Sequence, residues 1–251
     1  MHLAPPNWPA ALWIVRHGES AGNLARDAAE AQQLERIEIA APRDMDVPLS
    51  PLGEEQAQAL GRWVAALPPA EQPTAVLASP YVRARRTAEL LLEAAGLPHL
   101  PFFIDERLRE REFGVLDRLT RFGIERLFPE QAQLRRNLGK FYHRPPGGES
   151  WSDVILRLRS VVEMLSRERR GQRVLVLCHS AVVLCMRYVL EHMTEEQILA
   201  IDRASDVANC SLTAYELAGD SLELRRFNFV APLLQQGTQV TRQPDAAAAP
   251  K

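Results

Sequence analysis

Two histidines and two arginines each stand just beyond a short apolar run of this sequence. They are Arg16, His17, Arg83 and His179. The guanidinium group presents a planar fork of N–H donors that fits phosphate oxygens, and a neutral imidazole can attack phosphorus as a nucleophile. If the four side chains meet in the folded protein, they form a pocket in which a phosphoryl group can be bound and transferred.

The runs before these residues have the pattern of buried parallel strands. Residues 11–15, 75–78 and 174–178 are apolar on both faces, as expected of strands that helices cover on both sides. In open α/β sheets, ligands bind beyond the carboxyl ends of the strands, where helix N-termini also favour anions. We therefore expect the four residues to converge there if the three strands are neighbours.

Helical patterns alternate with these strands. Residues 51–67 and 152–169 carry apolar stripes at helical spacing, and a helix over 180–191 should begin directly after the third strand. Ser79 and Pro80 have the residue types found at the N-cap and first position of a helix. The alternation of strands and helices predicts an α/β fold.

Two further runs complete the predicted sheet. Residues 211–217 and 222–227 flank a short Gly-containing turn and predict an antiparallel hairpin at one edge. The predicted fold class is therefore an α/β three-layer sandwich with a mostly parallel central sheet, flanking helices and an antiparallel edge hairpin.

Arg83 lies in an arginine-rich run, which is usually a solvated surface. On a helix, however, Arg83 shares a face with Thr87, Leu90 and Leu91. Because that face is apolar, we expect Arg83 to point toward the sheet, whereas Arg85 should point into solvent.

The composition is that of a globular protein. The chain has 251 residues, of which 46% are hydrophobic and 25% are charged, and this length favours one domain, which we place at 1–234. We expect residues 115–146 to form an excursion that builds a lid or wall over the pocket. Residues 235–251 have almost no large apolar side chain and are expected to be a disordered tail.

Charge and cysteine content bound the partners and the compartment. The formal net charge of −2 argues against nucleic acid or an anionic membrane as a partner. Three cysteines, an odd number, argue against a disulfide framework. The first fifteen residues lack Lys and Arg, and the longest nearly apolar stretch, 174–186, is too short to span a bilayer. We expect a soluble cytoplasmic protein; the sequence does not predict its oligomeric state.

Several motifs in this order resemble those of the histidine phosphatase superfamily, also called the phosphoglycerate mutase-like family. The matching segments are Arg16-His17-Gly18-Glu19-Ser20 followed by Asn23, Asp46 to Gly53, Ser79-Pro80-Tyr81-Val82-Arg83, Leu108 to Gly114, Gly148-Glu149-Ser150, and 174–179. They span about 11–191, which is most of the chain. One departure is Ser180, because the family usually has glycine after its second histidine.

The resemblance implies a two-step reaction on a small phosphorylated substrate, with no metal and no cofactor. His17 would attack phosphorus to form a phosphohistidine, which water then hydrolyses. Glu110 would protonate the leaving oxygen and then accept a proton from water, with Glu112 as the second choice. The residues that would bind the phosphoryl oxygens are Arg16, Asn23, Arg83, His179 and Ser180.

His17 must present a nitrogen with a free lone pair. A backbone carbonyl that accepts the other ring N–H would select the required tautomer. Neighbouring guanidinium groups should lower the pKa of His17 and favour the neutral ring.

The resemblance leaves the reaction open between a phosphatase and a mutase. His179 follows Glu110 by 69 positions, a spacing that resembles the shorter, phosphatase-type arrangement of the family. Arg135 and Arg136, however, could serve as the substrate arginines of a mutase. A non-enzymatic phosphate-binding module is less favoured, because all the expected catalytic groups are present.

A remote alternative is a serine esterase. Gly18-Glu19-Ser20-Ala21-Gly22 matches the nucleophile elbow of such enzymes, with Ser20 as nucleophile. That fold places several strands and an oxyanion loop before the elbow, whereas only 19 residues precede Ser20 here. The chain order therefore argues against it.

Overall fold

The computed structural model describes residues 7–243, which form a six-stranded sheet covered by helices. The strands follow the chain as β1 (Ala11–Arg16), β2 (Ala75–Ala78), β3 (Phe102–Ile104), β4 (Arg173–Cys178), β5 (Leu212–Ala218) and β6 (Ser221–Phe229). Their spatial order is β3-β2-β4-β1-β5-β6. The first four strands in this order run parallel, and β5 and β6 are antiparallel at the edge. The predicted fold class is confirmed.

The helices connect these strands in the expected alternation. In chain order they are α1 (Ala21–Ala31), α2 (Pro51–Ala65), α3 (Val82–Ala94), α4 (Arg121–Leu127), α5 (Pro129–Tyr142), α6 (Trp151–Glu168), α7 (Ser180–Leu190), α8 (Glu195–Ala204) and α9 (Ala231–Gln235). Helices α2, α6 and α7 lie within a few residues of their predicted bounds.

Alternate side chains of β1 enter two different cores, which explains why the strand is apolar on both faces. Leu12 and Ile14 pack with α6 and α7, whereas Trp13 and Val15 pack with α2 and α3. All six residues of β1 are buried. This double burial holds the carboxyl end of β1 in a fixed position, directly before His17.

The three predicted strands are neighbours in the sheet. β4 lies between β1 and β2, with Arg16 level with Cys178 and Ala78 level with Leu177. The carboxyl ends of all three strands therefore reach the same edge. The geometric condition for a shared pocket is met.

The predicted start of α3 is wrong. The helix begins at Val82 with Tyr81 as its N-cap residue, and the side chain of Ser79 does not cap it. Instead the Ser79 hydroxyl lies 2.8 Å from Nε2 of His179. The sequence alone predicts a cap here, because a serine directly after a strand can either cap the next helix or face a ligand.

The sequence pattern does not predict one of the strands, β3. β3 is only three residues long, and two of them, Phe103 and Ile104, are exposed. It lies at the outer edge beside β2. So short a run, without burial on both faces, does not produce the pattern by which the central strands were identified.

The expectation of a disordered tail over 235–251 is wrong for its described part. Val240 packs against the core on the α2–α3 side, and Thr241 is buried. The amide of Asn209 donates to the carbonyl of Thr241 at 2.9 Å. This segment is held largely by hydrogen bonds to buried polar groups, which its polar composition did not reveal. Residues 244–251 lie outside the described residues.

Three further properties of residues 7–243 concern membranes, metals and thiols. No helix there has both the length and the hydropathy needed to cross a membrane. No group of three or more His, Cys, Asp or Glu side chains is arranged to hold a metal ion within the same range. Cys178, Cys185 and Cys210 are buried, and none of them forms a disulfide within the described residues.

Candidate active site

The two histidines meet at the carboxyl edge of the sheet. His17 follows β1 and His179 follows β4, and their ring centroids lie 5.2 Å apart. Arg83 reaches the same place from α3, with its Nε 3.3 Å from Nε2 of His17. These side chains and that of Arg16, at the end of β1, are at most 3% exposed. The structure thus brings together the four residues that the sequence selected.

Two hydrogen bonds determine the tautomer of His17. Its Nδ1 lies 2.7 Å from the carbonyl oxygen of Gly18, which can only accept, so Nδ1 carries the proton. Its Nε2 lies beside Nε–H of Arg83, which can only donate. The lone pair of His17 is therefore on Nε2, on the side of the ring that faces Arg83.

The loop after β1 is packed tightly against two helices. The amide of Gly18 donates to Oγ1 of Thr87, whose hydroxyl donates to the carbonyl of Arg83 in α3. On the other side, a Cβ on Gly18 would lie 2.4 Å from the carbonyl oxygen of Gly53 in α2. Glycine is required at this position because the two backbones are too close for any side chain.

Arg83 is held by an ion pair as well as by His17. Its Nη2 lies 3.0 Å from Oδ2 of Asp44, and its Nη1 donates to the Asp44 backbone carbonyl at 2.7 Å. The guanidinium also stacks over the Tyr81 ring at 4.9 Å. As expected, Arg83 is buried toward the sheet, whereas Arg85 is exposed.

His179 is fixed by the ends of two neighbouring strands. Nε2 of its ring lies 2.8 Å from the hydroxyl of Ser79, and the Tyr81 ring packs edge-on against it with centroids 5.0 Å apart. Nδ1 of His179 lies 3.7 Å from Oε2 of Glu110. An acid and an imidazole are therefore side by side next to His17.

Of the two glutamates considered for the acid, Glu110 is the one that faces the histidines. It is 2% exposed, and its Oε1 accepts from the amide of Arg111 at 2.8 Å. Glu112 instead has a half-exposed side chain that accepts from the Tyr81 hydroxyl at 2.9 Å. Burial and this carboxylate raise the pKa of Tyr81, which keeps the hydroxyl protonated as a donor.

The segment that carries Glu110 is held by Glu149 and Arg157. Arg157 donates to the carbonyl of Glu110 at 3.2 Å and pairs with Oε1 of Glu149 at 3.0 Å. Oε2 of Glu149 also accepts from the amide of Glu112 at 3.1 Å. The Gly-Glu-Ser motif therefore does more than open α6. Its glutamate binds the amide of Glu112 directly and holds the carbonyl of Glu110 through Arg157.

Arg16 is oriented by backbone carbonyls. Nη1 donates to the carbonyl of Val207 at 2.6 Å, and Nη2 donates to the carbonyl of Gln243. The guanidinium is fully buried. These acceptors lie far along the chain, and nothing near residue 16 in the sequence announces them.

Asn23 and Ser180 lie at the starts of helices. Oδ1 of Asn23 accepts from the amide and hydroxyl of Ser20, which forms the capping box of α1. Asn23 also lines a small cavity beside Arg83. Ser180 is the first residue of α7 rather than its N-cap, because His179 holds that position. Ser180 therefore does not cap α7, although its amide is in the first turn.

The capping role also uses the hydroxyl that the esterase alternative requires. Oγ of Ser20 donates to Oδ1 of Asn23 at 2.9 Å and accepts from the Asn23 amide at 3.2 Å. Neither bond involves an imidazole. The Gly-x-Ser-x-Gly match thus marks a helix cap in this fold.

A second, larger cavity of about 270 Å³ lies under α4 and α5. Its lining is mostly apolar but includes Arg111, Arg135 and Lys140. Lys140 pairs with both carboxylate oxygens of Asp202 at 2.6 Å. Burial and the nearby Arg111 lower the pKa of Arg135 to about 10, so it stays cationic at neutral pH.

Some residues of the site could not be found by sequence reasoning. Asp44 and Thr87 bind Arg83, and Ser79 binds His179. Arg157 binds the carbonyl of Glu110, and Glu149 binds the amide of Glu112. The sequence indicates the location of three of them, since Ser79 and Glu149 belong to family motifs and Thr87 to the buried face of a helix. It does not predict which groups they bind. No sequence pattern indicates Asp44 or Arg157.

Fold and site together define a class of α/β proteins in which two histidines and two arginines meet at the carboxyl edge of a parallel sheet. The sequence profile described as histidine phosphatase superfamily (branch 1) matches residues 12–230. The chain belongs to this superfamily.

Individual relatives include enzymes of different names. The chain is 33% identical over 215 residues to a 2,3-bisphosphoglycerate-dependent phosphoglycerate mutase 2 of Gloeobacter violaceus, covering 84% of this chain and 87% of the relative. It is 33% identical over 191 residues to a 6-phosphofructo-2-kinase/fructose-2,6-bisphosphatase of Aquarana catesbeiana, covering 75% of this chain and 34% of that longer protein.

A solved structure agrees with both the fold and the family. A mycobacterial glucosyl-3-phosphoglycerate phosphatase complexed with VO3 superimposes with a TM-score of 0.66 at 26% identity, covering 88% of this chain and 99% of the other. The relatives thus include both phosphatases and mutases, and phosphohistidine chemistry is general to the superfamily.

Proposed function

We propose that the protein is a metal-independent phosphomonoester hydrolase that forms a phosphohistidine on Nε2 of His17. One observation carries the proposal: the Nδ1–H bond to Gly18 leaves the lone pair on Nε2, beside the guanidinium of Arg83. A nucleophile needs this lone pair, and an anion held by Arg83 would lie next to it. Glu110, the nearest carboxyl group to His179, supplies the acid.

The first step transfers the phosphoryl group to the enzyme. Nε2 of His17 forms a bond to phosphorus as the ester P–O bond breaks, and the leaving oxygen takes the proton of Glu110. In the second step, water attacks phosphorus, the N–P bond breaks, and the Glu110 carboxylate accepts a proton from the water. The cycle returns His17 neutral and Glu110 protonated.

The groups around His17 would stabilise the charge on the phosphoryl oxygens. Arg16, Arg83 and His179 supply fixed donors from three separate strand ends, in a place with little solvent. Preorganised donors of this kind stabilise a transition state because they do not reorient during the reaction. Asn23 and the amide of Ser180 would contribute further hydrogen bonds from the first turns of α1 and α7.

A phosphatase is favoured over a mutase by the segment between Glu110 and His179. It contains α4, α5 and α6 and keeps the 69-residue spacing noted above. The mutase remains the second candidate because of the 33% identity to a named mutase and because Arg135 and Arg136 both line the large cavity.

Incubation with a panel of phosphomonoesters tests this choice. We expect phosphate release that survives dialysis against EDTA, and with 3-phosphoglycerate we expect no isomerisation whether or not 2,3-bisphosphoglycerate is present. Isomerisation without phosphate release would establish the mutase instead. Binding of vanadate without turnover of any ester would indicate a phosphate-binding module.

We further propose that residues 115–146 form the wall that recognises the remainder of the substrate, which would be a small phosphorylated compound. The large cavity under α4 and α5 offers an apolar lining with cationic groups. Of the two neighbouring arginines that line it, Arg135 is partly buried and Arg136 is exposed, whereas the nearby Lys140 is already neutralised by Asp202. A second anionic group on the substrate fits this lining.

Replacing Arg135 by glutamine should raise KM about tenfold for substrates with a second anionic group, because a hydrogen bond to a charged group contributes about 1.5–3 kcal/mol. The KM for p-nitrophenyl phosphate, which has no such group, should not change. Arg126→Gln is the matched control, since Arg126 pairs with Glu35 on the surface of α4. If the KM of each substrate in the Arg135 variant equals its wild-type value, Arg135 does not take part in substrate recognition.

A further inference from the structure

We infer that the C-terminal segment 239–243 positions the nucleophile loop, which comprises residues 16–19. The inference rests on the proposed function, because it assigns the segment a role in aligning His17. It is carried by a chain of buried hydrogen bonds that begins at the segment and ends on the backbone of the loop. Thr241 is the centre of this chain.

The first branch runs from Thr241 to the carbonyl of His17. The Thr241 hydroxyl donates to Oδ1 of Asn209 at 3.0 Å, and Nδ2 of Asn209 donates to the carbonyl of His17 at 3.1 Å. The backbone amide of Asn209 in turn donates to the carbonyl of Thr241 at 2.9 Å. Asn209 is therefore clamped to the C-terminal segment at both ends of the residue.

The second branch runs from Thr241 to the amide of Glu19. Nε2 of Gln56 donates to the Thr241 hydroxyl at 3.0 Å and to the carbonyl of Gln239 at 3.0 Å. Oε1 of the same Gln56 side chain accepts from the amide of Glu19 at 2.9 Å. The Thr241 hydroxyl thus donates to Asn209 and accepts from Gln56, so the directions of these hydrogen bonds are mutually consistent.

Gln243 adds two contacts to the same loop. Its carbonyl accepts from Nη2 of Arg16, and its Nε2 donates to Oε2 of Glu19 at 3.1 Å. Three residues of the C-terminal segment, Gln239, Thr241 and Gln243, therefore touch or support the loop at its first, second and fourth positions.

The three side chains at the centre of this network are buried, so the loss of one hydrogen bond cannot be compensated by water. Gln56 and Asn209 are 0% exposed and Thr241 is 7% exposed. Loss of one partner would leave buried polar groups unsatisfied, and the loop would shift to recover hydrogen bonds. Because in-line attack depends on alignment within fractions of an ångström, a small shift of His17 slows phosphoryl transfer without removing any reacting group.

The side-chain test is Thr241→Val, which keeps the shape and removes the hydroxyl. We expect kcat and the single-turnover rate of phosphohistidine formation to fall about tenfold, with KM nearly unchanged. Thr241→Ser keeps the hydroxyl and should restore both rates. Arg242→Ala, an exposed neighbour in the same segment, should match the wild type.

Truncation supplies a second test that does not depend on one side chain. A chain that ends at Gln243 keeps every contact described above and should retain full activity, whereas a chain that ends at Thr238 should lose at least as much as Thr241→Val. Wild-type rates in both the Thr238 truncation and Thr241→Val would overturn the inference.

Hydrogen exchange separates this inference from the proposed function. In the peptide that contains residues 16–19, amide exchange measured well below the melting temperature of every variant should accelerate in Thr241→Val but not in Thr241→Ser. If the wild type forms no phosphohistidine, the proposed function fails, and the exchange result still decides whether the segment holds the loop. If exchange in this peptide is the same in Thr241→Val as in the wild type, the segment does not position the loop.

Discussion

Asparagine in place of His17 is expected to abolish phosphate release and covalent labelling together. The variant keeps a hydrogen-bonding side chain of smaller size but has no nitrogen lone pair to attack phosphorus. Removal of a nucleophile that acts as part of a catalytic unit costs about 10⁴-fold or more in kcat. Acid-labile label from ³²P-substrate, trapped by rapid quench, should be present in the wild type and absent in His17→Asn.

Two further variants make this result specific. His99→Ala changes an exposed histidine and should label and turn over like the wild type. Ser20→Ala removes a helix cap and should reduce activity only partly, since capping contributes about 1 kcal/mol to stability. Persistent labelling of His17→Asn, or complete inactivity of Ser20→Ala, would contradict the assignment of the nucleophile.

Replacement of Glu110 by glutamine is expected to slow turnover about 10²–10⁴-fold, the usual contribution of a general acid and base. The size of the effect should depend on the step. With an alkyl phosphate, the leaving oxygen needs a proton, so phosphohistidine formation itself should become slow. With p-nitrophenyl phosphate, the leaving group departs without a proton, and only the attack of water lacks its base.

The Glu110 variant should therefore accumulate phosphohistidine from p-nitrophenyl phosphate. A burst of p-nitrophenol equal to the enzyme concentration, followed by slow release of phosphate, is the expected observation. Glu112→Gln is the matched control, because Glu112 lies two residues away and its carboxylate contacts the Tyr81 hydroxyl and Arg109. If Glu112→Gln gives the burst and Glu110→Gln does not, the acid has been misassigned.

The central residues of the site could be predicted because each follows an apolar run that is buried on both faces. A polar group directly after such a run must lie at the edge of the sheet, which is how Arg16, His17 and His179 were selected. Arg83 was selected from its helical face. What local pattern did not settle was the order of the strands, since adjacency of β1, β4 and β2 depends on packing across the whole domain.

The supporting residues could not be predicted for a related reason. Gln56, Asn209 and Thr241 are single polar residues with no periodicity, and Asn209 binds the His17 carbonyl from 192 positions away. The groups that they reach on the loop are backbone groups, which every residue has, so no residue type stands out at that end of the network. Composition alone made the segment containing Thr241 look unstructured.

The ion pair between Arg83 and Asp44 has a consequence for how the pocket selects its occupant. In this conformation the guanidinium already faces a carboxylate from the loop after α1, so an incoming anion exchanges with a tethered competitor instead of filling an empty positive hole. Weakly coordinating monoanions such as chloride gain little from this exchange, whereas a phosphate dianion offers more charge and more acceptors than the carboxylate it displaces. We therefore expect the Asp44 carboxylate to favour ligands that bind Arg83 more strongly than an aspartate does.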